Sequence, residues 1–412
     1  MRPRLWLLLG LLVGATTSLY VSRILGPWED YVDVEHGTLK ARLGDLYSPW
    51  FGSRALLLYR QNPYSAQVTR EIQMDFYGRL IEQSYDQPGY IVDEQRFAYP
   101  VYAVFFLAPI VRIEFHQAQL WMAAGLAILT ASGILLWLSA LRWRLTGTTT
   151  SALILFILSS PQIVQGLRLR QLGLAVGFLI AFAAWCVSRN YLSSAGMLLA
   201  FATIKPQMIV LPLAWFLIWT LGQWRERWRL SASFVGSLML LVLFGEFALP
   251  GWLSYFASGL RAYWKYGPTK SLLQLLIGPL SAEILSGILV CAWLVLAWRH
   301  RKSNGDSGEF LYVLAACFLA ESIALPLMPP FNQVLLLLPI LMILKDWKKI
   351  PLFLRAAFVF CFTWPAITSL TLLLLPDNTR SANPVPLLPS FLAVFVPFLL
   401  PPVMAAHRRA TL

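Results

Sequence analysis

The chain has 412 residues, 58% of them hydrophobic and only 13% charged, and the apolar residues come in blocks long enough to cross a bilayer, which excludes an ordinary soluble enzyme. The net charge of +13 would suggest a nucleic-acid partner in a soluble protein. Here most Lys and Arg flank the apolar blocks, as positive-inside sorting and contact with anionic membrane lipid require, so no nucleic-acid partner is expected.

Arg2 and Arg4 precede an apolar run that resembles a secretory signal but continues to Tyr20. It reads as an uncleaved first span over 5–25, with cleavage after Ala15 as the alternative. An outer loop over 26–96 follows and holds eleven of the twenty acidic residues. Near its middle stands Gly44-Asp45-Leu46-Tyr47-Ser48-Pro49-Trp50. Ser48 and Pro49 predict a helix start, with Ser48 as the cap and Pro49 in the first turn. Trp50, Leu57 and Leu58 would give that helix a face along the lipid interface. Asp45 would then be a carboxylate held at the membrane surface, suited to act as a general base; a simple helix cap, or a counter-charge for Arg42, fits the same position. After Asn62-Pro63-Tyr64, Ser65 can cap a second interfacial helix on which Val68, Ile72 and Phe76 recur at helical spacing.

Twelve spans are expected, at 5–25, 117–141, 151–166, 171–187, 191–204, 206–221, 231–249, 278–298, 309–328, 331–345, 352–376 and 386–406. The short apolar piece 97–112, which opens Phe97-Ala98-Tyr99-Pro100, is read as a re-entrant or interfacial helix. Leaving it out of the count puts most basic clusters on the cytoplasmic side. The chain is thus a single integral membrane domain over 1–412, all-α and polytopic. Spans 191–204 and 206–221 are short for a bilayer and suit broken helices around a polar cavity. With that topology Arg168, Arg170 and Lys205 lie at outer ends of spans, against the positive-inside bias; phosphate binding or snorkelling to lipid headgroups would explain them. A second outer loop, 250–277, interleaves Trp252, Tyr255, Phe256, Tyr263, Trp264 and Tyr266 with Arg261, Lys265 and Lys270. Sugar stacking with phosphate contact and an ordinary aromatic belt have this same composition. The four cysteines fall inside apolar runs and read as packing residues. Asp30 and Asp33, with Glu29 and Glu35, form a weak candidate for a divalent cation, and a solvated acidic loop is the simpler reading.

The order of these features resembles glycosyltransferase family 87, the polyprenol-phosphate-mannose-dependent branch of the GT-C glycosyltransferases. The resemblance rests on an Asp about eighteen residues before Asn-Pro-Tyr, on Tyr99-Pro100 opening an apolar helix and on Gly166 to Gln171 after Pro161. Ile204-Lys205-Pro206-Gln207 and Pro329-Pro330-Phe331-Asn332-Gln333 complete it. It implies a GT-C-like bundle, an active site on the non-cytoplasmic side of the plasma (inner) membrane, a polyprenyl-phosphate sugar as donor, inversion at the anomeric carbon and Asp45 as the catalytic aspartate. Two departures stand out. Some relatives carry a His where this chain has Phe331-Asn332-Gln333, and Val101 replaces a second proline. Asn332 can hydrogen-bond a sugar or phosphate but cannot shuttle a proton near neutral pH.

The chemistry agrees with that implication. An acceptor hydroxyl attacking a sugar carbon needs a base, and Asp45 is the best-placed outer carboxylate. A lipid phosphate leaves as an anion and needs positive charge, from Lys205, Arg168 and Arg170 first and from Arg261 and Lys265 second. Tyr64, Tyr99, Gln171, Gln207, Trp264, Asn332 and Gln333 are expected to contact sugar or acceptor. No cofactor is expected beyond the lipid-linked co-substrate, and the acceptor would be a glycolipid, a glycan or a protein. The competing classes are a transporter or flippase for a lipid-linked or anionic substrate and an inactive membrane scaffold. A transporter would place ionisable groups near the midplane of repeated halves.

Overall fold

The computed structural model describes residues 3–25, 43–81, 94–266, 271–325, 330–353, 355, 356 and 358–360. Among them every regular element is helical and no strand occurs. The first helix, α1 (Pro3–Tyr20), continues into a π-helical turn, Val21–Leu25. Two helices of the first loop follow, α2 (Tyr47–Tyr59) and α3 (Ala66–Tyr77). After an extended stretch come α4 (Ala103–Leu107) and a 3-10 turn, Ala108–Ile110. The bundle then runs through α5 (Phe115–Ala140), α6 (Gly147–Leu158), α7 (Pro161–Leu169), α8 (Gly173–Ser188) and α9 (Leu192–Ala202). A 3-10 turn, Pro206–Met208, leads to α10 (Val210–Gly222), α11 (Trp224–Ala248), α12 (Trp252–Tyr266) and α13 (Leu272–Ile277). The described chain closes with α14 (Pro279–His300), α15 (Gly308–Ala324), a 3-10 segment (Pro330–Leu336) and α16 (Leu337–Lys345).

Three helices, α5, α11 and α14, are long and apolar enough to cross a membrane, and α6 with α7 makes a fourth if that bent pair is one span. The expected span over 151–166 is not one straight helix: the axis bends by 64° between α6 and α7. Ser160 is extended and Pro161 has no N–H to continue the ladder, so a new helix starts there. Helices α8, α9 and α10 are apolar but shorter than a bilayer span. Of the last two expected spans, 386–406 lies outside the described residues and 352–376 is described only at its start.

The first loop corrects two further expectations. Helix α2 begins at Tyr47, and Ser48 makes no capping bond; its hydroxyl donates to the Gln95 carbonyl at 3.1 Å instead. Nor does Trp50 lie against lipid, since it is 6% exposed and its indole N–H donates to the Ile110 carbonyl at 3.0 Å. Leu46, Tyr47, Trp50, Val68, Ile72, Phe76, Leu107 and Val111 share one buried cluster, so these faces of α2 and α3 pack into protein. Ser65 does cap α3, accepting the Val68 N–H at 3.2 Å. Gly52 makes room for the extended chain: a Cβ there would stand 2.5 Å from the Phe97 ring.

Side-chain ties show how the helices run. The 219–227 turn, the 301–306 turn, Val187, Leu141 and Lys345 gather at one end of the bundle. There Lys345 donates to the Leu141 carbonyl at 2.8 Å, and Arg142 pairs with Asp306. Arg227, 5% exposed, donates to the carbonyls of Trp219, Arg301 and Ser303 at 2.7 to 2.8 Å. At the other end Gln119 of α5 bonds to the Leu43 carbonyl of the first-loop turn, and Gly173, Lys205 and Asn332 come together at the starts of α8, the turn before α10 and the 330–345 segment.

Candidate functional site

Arg170 closes α7 in the left-handed region, φ 54°, and the reversal sends Gln171 back beneath the helix. The Gln171 backbone is held from both sides, its N–H on the Gly166 carbonyl at 2.9 Å and its carbonyl on the Leu174 N–H at 3.1 Å. Gly44, φ 71°, lets the first-loop chain turn against this segment; a Cβ there would lie 3.5 Å from the Leu169 carbonyl oxygen and 3.8 Å from that of Arg168. Gln119 of α5 fixes that turn from the other side by donating to the Leu43 carbonyl at 2.8 Å. Asp45 is thereby brought to Gln171, and its Oδ2 accepts a hydrogen bond from Gln171 Nε2.

Lys205 comes from the turn between α9 and α10, where the following proline keeps its backbone extended at φ −128° and ψ 78°. Its Nζ donates to Gln171 Oε1 at 2.7 Å and to Asn332 Oδ1 at 3.3 Å, and it stands 4.9 Å from the centre of the Phe331 ring. Four separate stretches thus join in one chain of bonds: Asp45, Gln171, Lys205, Asn332. Lys205 and Asn332 are each 6% exposed. Burial pushes the Lys205 ammonium down to about 8, and the Asp45 carboxylate opposes that shift. Gly173, the first residue of α8, leaves the space the ammonium fills: a Cβ there would lie 3.2 Å from Lys205 Nζ and from Asn332 Oδ1.

The two arginines behave differently from Lys205. Arg168 is half-buried in the last turn of α7, and its backbone borders Gly44. Arg170 turns back and donates to the Arg168 carbonyl. Burial, with the Arg168 charge second, lowers its pKa. A second group forms around Tyr64, whose hydroxyl donates to the Tyr99 carbonyl at 2.6 Å and whose ring meets Phe97 edge-on at 5.1 Å. Helix α12 closes over this pair, with Gly259 brought against the Tyr64 ring and the Phe97 carbonyl. The link between the two groups is Tyr102, whose hydroxyl reaches the Thr203 hydroxyl at 2.9 Å, two residues before Lys205.

Several expected site residues are not drawn into the bonded chain. Gln207 is exposed at the start of its 3-10 turn. Arg261 is exposed on α12, its Nε donating to the Ala257 carbonyl of its own helix at 3.3 Å. The side chains of Trp264 and Lys265 lie outside the described residues, as do Lys270, Asp30, Asp33, Glu29 and Glu35. Gln333 lines a separate cavity of about 30 Å³ with Ser160, Gln162 and Ile163, and among the described residues its buried Oε1 has no partner. Among the described residues no group of three His, Cys, Asp or Glu side chains is placed to hold a metal ion.

Sequence reasoning missed Gly173, Phe331, Tyr102 and Thr203. Only Phe331 carried a signal, as the aromatic neighbour of Asn332. Chemically, the arrangement offers a carboxylate able to take a proton and a buried cation able to receive an anion, separated by one amide.

No curated protein and no solved structure matches the chain. The model of glycosyltransferase family 87 matches residues 97–329, more than half of the chain. That stretch contains Arg168, Arg170, Gln171 and Lys205 and stops short of Asp45 on one side and Asn332 on the other. The chain therefore belongs to glycosyltransferase family 87.

Proposed function

We propose that this membrane glycosyltransferase moves a sugar, mannose by the family's resemblance, from a polyprenyl phosphate to an acceptor hydroxyl with inversion. The observation that carries this reading is the bonded chain from Asp45 through Gln171 to the buried Lys205. Asp45 takes the proton of the acceptor hydroxyl as its oxygen bonds to the anomeric carbon. The bond from that carbon to the phosphate oxygen breaks, and the electron pair stays on the lipid phosphate. Lys205 spends two of its three N–H groups on Gln171 and Asn332, and the third is available to the leaving phosphate. The leaving group departs as an anion, so the step needs positive charge rather than a second acid. Arg168 and Arg170, next to Gln171 in the chain, add to the field, and Asn332 holds the ammonium in place without a proton-shuttling role.

Orientation follows from charge. The bundle end opposite the site carries Arg142, Arg189, Arg225, Arg227, Arg229, Arg299, Arg301, Lys302, Lys345, Lys348 and Lys349, which supports a cytoplasmic location for that end and a non-cytoplasmic one for the site. The test is to incubate purified protein with labelled polyprenyl-phosphate sugars and membrane lipids. A labelled glycoside and released polyprenyl phosphate are expected, and Lys205→Ala is expected to impair donor use more than acceptor use. Transfer from a nucleotide sugar alone, with none from the lipid-linked donors, would overturn the reading.

A further inference from the structure

The amide of Gln171 does more than fill space between two charged groups. Its oxygen faces the ammonium and its nitrogen faces the carboxylate, the one orientation in which both bonds form. Its backbone cannot drift, because both of its polar groups are tied to α7 and α8. Gln171 is itself only 6% exposed, so its amide is held inside the protein. Among the described residues, the charged groups beside it along the chain and across the site are Asp45 from the first loop, Lys205 from the α9–α10 turn, and Arg168 and Arg170 from its own turn. Lysine carries a flexible four-carbon stem, and attraction between unlike charges strengthens as water is excluded. Without an intervening group, Lys205 and Asp45 would close into a direct ion pair. That pair would occupy the carboxylate that must accept a proton and the ammonium that must meet a phosphate.

We infer that Gln171 is a positioning residue, a spacer that holds the Asp45 carboxylate and the Lys205 ammonium apart so that each faces substrate. The inference rests on the proposed transfer for its purpose, but not for its test. The ionisation of Lys205 is measured by competitive acetylation with mass spectrometry in the wild type and in Gln171→Met, an apolar side chain of similar length. If Gln171 is a spacer, its loss allows the direct ion pair, and the Lys205 pKa rises by roughly one unit or more. If Gln171 only solvates the ammonium, its loss removes a partner and the pKa falls. An unchanged or lowered value therefore overturns the spacer role. Transfer from labelled polyprenyl-phosphate sugar is measured on the same preparations, with turnover in Gln171→Met expected to drop at least roughly tenfold while donor KM changes less. Turnover within twofold of wild type likewise counts against the spacer. A wild-type protein that transfers nothing overturns the proposed function, and the acetylation result still decides the role of Gln171. Should Gln171→Met not yield folded protein, Gln171→Ala carries the same two measurements.

Discussion

A buried lysine is a poor place to store a charge, and Lys205 shows the consequence most plainly. With its pKa pushed down to about 8 by burial, it loses its proton at a pH where an exposed lysine keeps it. If its charge receives the leaving phosphate, sugar transfer should fall as pH rises through about 8, and Lys205→Met should leave a low residual rate without that alkaline limb. Stability should move the other way. The folded-state value lies below the ordinary 10.5, so the cost of burying the charge is fully present below about 8 and is relieved as pH rises toward 10.5. A thermal melting series over that window, beside the rate profile, checks both signs. At this scale the sequence was informative. Gln171, Lys205 and Asn332 could be singled out because each is a polar residue at the edge of an apolar block, and Asp45 because it is an outer-loop carboxylate just before a helix start. Their mutual bonds could not, since three long gaps separate them in the chain. Gly173 was silent for the same reason: its importance is the space above it, and that belongs to Lys205 and Asn332.

Elements were harder to read where tertiary contacts override local rules. Ser48 followed by Pro49 is a sound cap signal, yet the helix starts two residues earlier and the serine bonds to the Gln95 carbonyl instead. The apolar faces of α2 and α3 looked like membrane faces because burial in protein and burial in lipid select the same residues. Helix α11 gives the opposite lesson. Its Arg225, Arg227 and Arg229 read as one positive-inside cluster, but Arg227 alone is buried, over the Trp219 ring at 3.8 Å and bonded to three carbonyls. It ties the α10–α11 corner to the α14–α15 turn, far from the site. Arg227→Met should leave those carbonyls unpaired and cost on the order of 3 kcal/mol, seen as a clear fall in the melting temperature of the purified protein. The same substitution at Arg225 should be nearly silent, because Arg225 is exposed.

For the whole molecule, hydropathy was enough to establish an all-helical membrane protein, and the family match bears out the resemblance read from motif order. The span count was not legible, because short apolar helices and a bent pair give hydropathy blocks much like those of straight spans. Depth within the bundle was also hidden. Glu321 of α15 is fully buried, and among the described residues neither of its carboxyl oxygens has a hydrogen-bond partner. An unpaired polar group there lowers stability by about 1–3 kcal/mol, so Glu321→Met should raise the melting temperature. A lowered one would mean that the carboxyl is used.

The central claim is that the bonded chain ending in Asp45 is the catalytic centre. It is tested most directly by comparing purified wild type and Asp45→Asn for release of polyprenyl phosphate and formation of labelled glycoside from a polyprenyl-phosphate sugar. The account predicts product with wild type and at least roughly a thousandfold less with Asp45→Asn, at an unchanged melting temperature. Equal turnover by the two folded proteins would contradict it.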